Sequence, residues 1–505
     1  MYGEKLFLGI DVGHTVIKIA AYNQEGMELI SVGQRVSLQN PKPGYYQTDV
    51  EELFSSCVIA LKNLVKHVNP QNIEAIGLCG GGNGLYALDE NFTPLKFGYP
   101  ALDRRAVNVI RELKREKLYD VLFNKIGMPI LPGSVPILMR WFKDNDRGIY
   151  DKVAVIMSRK DIVRYMLTGD ISTEISDACF GLLNVYTQEY DREIFEILKI
   201  QDKFDALPEL RPNSYDIAGY ISDKAASLTG LKAGIPVIAG AHDACCNTIG
   251  VGALGSDKVC TGGGTWSINL IVVEKPILNP KWSCEAFIKK GTWILEGSSP
   301  TATVSLDWFI DTFMKEEKSK LKGKSIYQIC DETIRKVKTG IIFLPFLLGL
   351  PWGYPFKENA LAAFIGIRYE DSISEFLRAI YEGVTFIHAT HIGEFEKYFN
   401  IKEIRFTGGA ARSSIWAQML SDVTGKRVLT IDKEETGCFG SAILAMYGIN
   451  AISRLEEAER MIKIRDVFYP DEERKKEYDK KYKLYLGISS LLEEFWDDLE
   501  SVRIH

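Results

Sequence analysis

Three stretches near the start of the chain, KLFLGIDV, VIKIAAYN and LISVGQRVSL, are apolar over strand lengths and parted by Gly or polar turns. Each predicts a β-strand. In DVEELFSSCVIALKNLVKHV, the residues Leu53, Cys57, Leu61, Leu64 and Val68 recur at helical spacing and predict an amphipathic helix. IEAIGLCGGGNG then reads as a strand running into a glycine loop. The second half repeats this plan. DKVCTGGGTWSINLIVV predicts strand, glycine turn, strand, TWILEG a third strand, and PTATVSLDWFIDTFM an amphipathic helix. Beyond them EIRFTGGAA is a strand ending in glycines, and RSSIWAQMLSDVTG a helix closed by Gly425. RVLTI is a short buried strand and GCFGSAILAMYGI a helix of small residues. Two strand-strand-strand-helix units, each with a Gly/Thr hairpin, predict two related α/β domains facing one cleft. From about Glu456 the chain is rich in charge, as in DEERKKEYDKKYKLYL, and predicts a solvated amphipathic helix.

Length supports the two-domain division, since 505 residues exceed what one core usually holds together. The expected units are 1–245, 246–455 and a helical extension, 456–505. Lys and Arg number 61 against 67 Asp and Glu, a net charge of −6. That balance argues against a nucleic-acid or anionic-membrane surface. The start, MYGEKLFLGI, has an acidic residue and a short apolar run, unlike a secretory signal. The longest strongly apolar run, GIIFLPFLLGL, has 11 residues and contains Pro345, whereas a membrane span needs about 20. Nine cysteines without a CxxC pair read as reduced thiols of a cytoplasmic protein.

The hairpins carry the first candidate chemistry. Glycine lets backbone N–H groups approach phosphate oxygens closely, because it lacks Cβ and tolerates positive φ. Thr15 and Thr265 add hydroxyls beside Gly13 and Gly264. Asp11 suits a Mg²⁺ ion, directly or through water, and Lys18 shares the face of Val16 and adds charge. Taken singly, Gly13 and Gly262 to Gly264 read equally well as turn glycines and Asp11 as a hairpin acceptor. Their recurrence at matching places favours phosphate. In GIPVIAGAHDACCNTIGVGAL a buried strand delivers Asp243 to a helix of small residues. Two readings stay open there, a cap for that helix and a general base for a substrate hydroxyl. His242 reads as a packing or orienting residue. Gly408 and Gly409, at a strand end and helix start, form either a tight turn or bare backbone against a base or ribose.

Together these motifs resemble those of the FGGY carbohydrate kinases, sugar and polyol kinases of the actin/hexokinase ATPase fold. GIDVGHTVIK is similar to the family's first phosphate motif, CTGGGTW to its second and TGGAARSSIWAQMLSDVTG to its adenosine motif. AAFIGIRYEDSISEFLRAIYEG, Ala362 to Gly383, fits one family signature at every defined position, and GSVPILMRWFKDN part of the other. The resemblance implies two ribonuclease H-like domains flanking a catalytic cleft, with ATP and Mg²⁺ as cofactors and a small sugar as substrate, and leaves room for a homodimer. By position it makes Asp243 the catalytic base and Asp11 the metal-associated carboxylate. Gly13, Thr15, Lys18, Gly262 to Gly264 and Thr265 would face the triphosphate, and Gly408, Gly409 and Ala410 the adenosine. His14 departs from a usual Thr. Gly82, Asn83, Asp103, Arg104, Asp243 and Trp266 would line the sugar. Gly82 and Asn83 stand where xylulose kinases carry Met-His and glycerol kinases Arg and Glu. DRRA, the SPT of Ser299 to Thr301 and EETGCFGSA are similar to L-xylulose kinases. A ketopentose is therefore favoured over a polyol such as erythritol or glycerol, and sugar acids rank lower because no strongly basic cluster is evident. A nucleotide-gated binding or chaperone protein on the same fold is the rival from another class. A dinucleotide-dependent oxidoreductase is disfavoured, because no G-x-G-x-x-G follows the first strand with an acidic residue about 20 positions on.

Overall fold

Leu6–Val12 (β1), Val16–Asn23 (β2) and Glu28–Arg35 (β3) form the expected antiparallel ribbon, with Asp11 opposite Lys18. A computed structural model describes residues 4–264, 266–319, 321, 323, 325–349 and 359–502. Helix Val50–Leu64 (α1) follows, its start capped by the Asp49 carboxylate, which accepts from the N–H groups of Glu51 and Glu52. The helix stops at Leu64, so Val68 falls outside the stripe predicted for it. Ile73–Gly80 (β4) runs parallel to β1. Ile217–Tyr220 (β5), Pro236–Ile238 (β6) and Ala241–His242 (β7) complete a seven-stranded sheet of order β5-β6-β4-β1-β2-β3, with β7 also on β4.

The second sheet repeats the first. Its strands are Lys258–Gly263 (β8), Ser267–Val273 (β9), Ser283–Ala286 (β10), Trp293–Ser299 (β11), Glu403–Thr407 (β12), Arg427–Ile431 (β13) and Ile464–Phe468 (β14). They run in the order β10-β11-β9-β8-β12-β13-β14. As in the first sheet, a hairpin (β8–β9) and a third antiparallel strand (β11) stand beside parallel neighbours (β12, β13). The duplication read from the hydrophobic pattern is therefore present in the topology.

The supporting helices are Arg159–Thr168 (α2), Asp243–Gly250 (α3), Thr303–Phe313 (α4), Ile373–Phe395 (α5), Ser414–Thr424 (α6), Thr436–Gly448 (α7) and Glu472–Leu492 (α8). Strand alternation decides where they sit. Leu8, Ile10 and Val12 join Leu53, Leu61, Ile162 and Leu167 in the core under α1 and α2. Phe7 and Ala75 look the other way, into a core with Ile249 of α3 and Phe439 and Ile443 of α7. That same core takes in Cys260, Leu270 and Ile294 of the second sheet. Helices α3 and α7 are thus the filling between the two sheets. Although α7 falls in the stretch expected to form the second unit, it lies on β1 and β4 of the first.

Missing side chains make this packing possible. A Cβ on Gly9 would lie 1.8 Å from the Cys438 carbonyl oxygen, and one on Gly440 1.8 Å from that of Cys246. Gly440→Ala must push α7 off α3, and is expected to cost about 1–3 kcal/mol or more. The check is a lower urea midpoint at unchanged slope.

Between β4 and β5 the chain inserts a helical module with its own core around Leu122, Ile137, Phe142 and Phe195. The tail expected to be solvated helix is docked instead. Its first part supplies β14, antiparallel to β13, and α8 buries Tyr478 and Tyr485. A short half-exposed strand and a narrow buried stripe are easily hidden in so charged a composition. All nine cysteines are buried and unpaired. Among the described residues no helix is long and apolar enough to cross a membrane.

Candidate active site

Both hairpin bends lie at the carboxyl ends of equivalent strands, β1 and β8, where ligands of open α/β sheets collect. The first bend is held from beneath by Arg159, whose side chain is fully buried. Its guanidinium donates to the carbonyls of Val12 (3.1 Å), Gly13 (2.8 Å) and His14 (3.4 Å) and to the hydroxyls of Thr48 and Tyr86. These are all neutral acceptors, so a positive charge stands behind the bend. Burial, then Arg159, lowers the His14 imidazole to about 4 and keeps it neutral. Gly264 closes the second bend, its N–H donating to the Trp266 carbonyl at 3.3 Å. Gly408, at the end of β12, has φ +83° and lies against Gly263 with no room for a Cβ.

The two halves enclose a cleft of about 570 Å³. Asp11, Lys18, Asn83 and Asp243 line it from the first half, and Gly262, Gly264, Trp266, Thr407 and Gly408 from the second. Two helices, α3 and α7, start at its floor, where unpaired N–H groups and the helix dipole favour anions. The Thr436 hydroxyl at the start of α7 donates to Asn247 Oδ1 of α3 at 2.6 Å, tying the starts together. A second cavity of about 400 Å³ opens beside it, lined by Lys18, Gly408, Gly409, Arg412 and Arg465 among others. Lys18 Nζ pairs with Glu435 Oε2 at 2.7 Å at the junction of the two cavities.

Of the two readings of Asp243, the capping one fails: the N-cap position of α3 is His242, and Asp243 is the first helical residue. The Asp243 side chain is 41% exposed and lies 3.0 Å from His242 Nε2, while His242 Nδ1 lies 3.6 Å from Glu285 Oε2. Burial pushes the Asp243 carboxyl up, but the charge and hydrogen bond of His242 outweigh it and hold it below the usual range. Burial alone would lower His242, but Asp243, Cys245 and Glu285 together hold the imidazole well above its usual value. His242 is therefore placed to orient Asp243, one of the two roles, packing or orienting, read for it from the sequence. Phe180 packs edge-on to the His242 ring at 4.8 Å. From behind, the Ser176 hydroxyl accepts from the His242 backbone N–H and donates to the buried Glu174, both at 2.8 Å.

The second sheet contributes one face by simple alternation. Cys260 and Gly262 on β8, Ile268 and Leu270 on β9, Glu296 and Ser298 on β11, and Ser283 and Glu285 on β10 all line the cleft.

Two family models match this chain. The N-terminal domain of the FGGY family of carbohydrate kinases covers residues 6–250, and its C-terminal domain residues 260–449. The chain belongs to the FGGY family of carbohydrate kinases. It is 30% identical over 498 residues to the L-xylulose/3-keto-L-gulonate kinase of Escherichia coli (strain K12), covering 97% of each chain. It is also 30% identical over 507 residues to the xylulose kinase of Bacillus subtilis (strain 168), covering 99% of each. The gluconate kinase of Lactobacillus acidophilus superposes with a TM-score of 0.91 at 23% identity, over 98% of this chain and 100% of that one, which shows the shared fold. As an FGGY kinase the protein is a phosphotransferase that uses ATP and an alcohol acceptor.

Within this FGGY chain, not every residue singled out from the sequence reaches the cleft. Asp103 is fully buried and its oxygens accept from the N–H of Tyr46 (2.8 Å) and from the N–H and Nε of Arg105 (both 2.9 Å). It braces its loop instead of meeting a sugar. Arg104 points outward, its N–H donating to the Gly44 carbonyl. Gly82 lies under Phe180, whose ring a Cβ there would strike at 2.1 Å. Gly13 and Thr15 form the first bend without lining either cavity. Gly263 and Ala410 pack on each other, since a Cβ on Gly263 would lie 2.6 Å from that of Ala410. Thr265 lies outside the described residues. The sequence reading missed Arg159, Phe180, Glu285, Glu296 and the α7 start at Thr436. For the glutamates a signal existed: polar residues alternating with apolar ones in SCEA and LEGSS.

Proposed function

We propose that this kinase transfers the γ-phosphoryl group of ATP to a terminal hydroxyl of a ketopentose such as xylulose, with Asp243 as the general base. The observation that carries this reading is Asp243 itself, ionised, reachable and held by His242 between the two glycine bends. Such a carboxylate accepts the hydroxyl proton as the oxygen attacks phosphorus. Backbone N–H groups of both bends and of the α3 and α7 starts would surround the triphosphate, and the Gly408 region the adenosine. Phosphoryl transfer passes through a loose transition state, so alignment and charge stabilisation supply most of the catalysis. Glycines of positive φ at 240, 252 and 255 flank α3, a suitable place for the halves to close and exclude water from ATP. The ketopentose assignment is supported by xylulose in the printed names of two full-length relatives, and a cytoplasmic location by the unpaired cysteines.

Asp11 fits Mg²⁺. Burial, then the charge of Asp243, raises its carboxyl to about 7 against the opposing charge of Lys18, and hard carboxylate oxygens suit this ion. Among the described residues no group of three or more His, Cys, Asp or Glu is set to hold a metal alone. Asp11 would therefore hold the ion together with phosphates and water, and the ion would offset phosphate charge. The test is a coupled ADP-release assay with ketopentoses, aldopentoses, polyols and glycerol. A ketopentose should give the highest kcat/KM, and EDTA should abolish activity that Mg²⁺ restores. A polyol outranking every ketopentose would refute the substrate assignment.

A further inference from the structure

The carboxylates Glu285 and Glu296 touch no reacting atom in the mechanism above, where Glu285 acts only through His242, yet both face the cleft. Antiparallel register explains why they stand together. Ser283 is paired with Glu296 across β10 and β11, and Glu285 lies two residues along from Ser283, so all three share a face with Ser298. Glu285 is 3% exposed, and its Oε2 has only His242 Nδ1 beside it, at 3.6 Å, beyond ordinary hydrogen-bond length. Across the cleft, Asn83 Oδ1 is likewise buried and accepts no hydrogen bond. Burying such acceptors without a donor costs free energy, so both point to a ligand that brings hydrogens. Sugar hydroxyls do so, and a carboxylate is the acceptor-only partner that binds them through charge-assisted bonds.

The charge of this wall narrows the ligand further. Among the described residues lining the cleft, the basic ones are His242 and Lys18, and His242 is already flanked by Asp243 and Glu285. Lys18, the one lysine among the described lining residues, is paired with Glu435 at the other end. Burial, then Glu285, raises the Glu296 carboxyl to about 7, a sign of how poorly the wall tolerates more negative charge. Resting on the kinase reading above, we propose that Glu285 and Glu296 are specificity-determining residues that bind the hydroxyls of a neutral sugar and exclude sugar acids. The solved gluconate kinase of the same fold supplies the contrasting substrate class.

The test uses the full-length protein with Mg²⁺ and ATP, comparing D- and L-xylulose with D-gluconate by ADP release. For the wild type, kcat/KM for the better xylulose should exceed that for gluconate by roughly 100-fold or more, the scale on which a site built for hydroxyls rejects a mismatched ligand. In Glu285→Gln and Glu296→Gln, KM for xylulose should rise roughly 10-fold, more than kcat falls, as one charged hydrogen bond is weakened. The preference over gluconate should narrow alongside. Thermal melting confirms that each variant is folded, and either folded variant suffices. Gluconate turnover by the wild type equal to xylulose turnover, or an unchanged KM and preference in a folded variant, would overturn the inference and leave the kinase reading standing. ADP release that no sugar stimulates would overturn the kinase reading itself and this inference with it.

Discussion

Asp243→Asn is expected to lower turnover by a factor on the order of 10² to 10⁴ while the protein still binds ATP. The substitution keeps the size and shape of the side chain but removes its negative charge and its capacity to take a proton. Among the described groups in contact with it, none replaces it. His242 is held protonated by its carboxylate neighbours, Glu285 is buried behind it, and Asp11 is assigned to the metal. The ATP contacts proposed here are made by backbone and by residues of the other half, so nucleotide affinity should change little. Steady-state ADP release alongside a direct ATP titration separates the two quantities. Turnover close to that of the wild type in a purified, folded variant would remove Asp243 from its role.

Lys160→Met is expected to destabilise the fold by about 3–5 kcal/mol, the scale for removing one partner of a buried ion pair. Lys160 is 1% exposed, with its Nζ 2.8 Å from Asp161, 3.3 Å from Glu174 and 2.8 Å from Asp177. Methionine fills the space but leaves three buried carboxylates with less counter-charge. Arg164 compensates Asp161 alone among them, at 2.7 Å. The effect should reach the active site as well, because Glu174 anchors Ser176, which receives the His242 N–H. Activity per folded molecule should therefore fall beside the melting temperature. A variant within about 1 kcal/mol of the wild type would mean the cluster is not held together by its lysine.

The elements that were legible in the sequence are those whose local pattern and tertiary role agree. Leu8, Ile10 and Val12 alternate with Phe7, Gly9 and Asp11 because one face of β1 meets α1 and α2 and the other meets α7. Asp11 stood out because it breaks that second face where α7 begins. The Gly262 bend was legible for the same reason, as a copy of the first. Glu285 and Glu296 were not, since a charged residue on a short strand reads as solvent-exposed until the facing sheet is in place. Phe180 reads as ordinary core, and it is core on one side and cleft wall on the other. Asp103 and Arg104 failed differently: motif position put them near the sugar, but the loop turns the Asp103 carboxylate inward to Tyr46 and Arg105. The mixed packing of α7 was also hidden, because contacts between Gly440 and Cys246, or Gly9 and Cys438, join residues far apart in the chain.

The most direct measurement is a crystal structure of the protein with Mg²⁺, a non-hydrolysable ATP analogue and xylulose. The account predicts the triphosphate between the bends at Gly13 and Gly264, with a terminal sugar hydroxyl about 2.6–3.2 Å from the Asp243 carboxylate. A triphosphate bound away from both bends, or a sugar whose hydroxyls all lie beyond reach of Asp243, would contradict it.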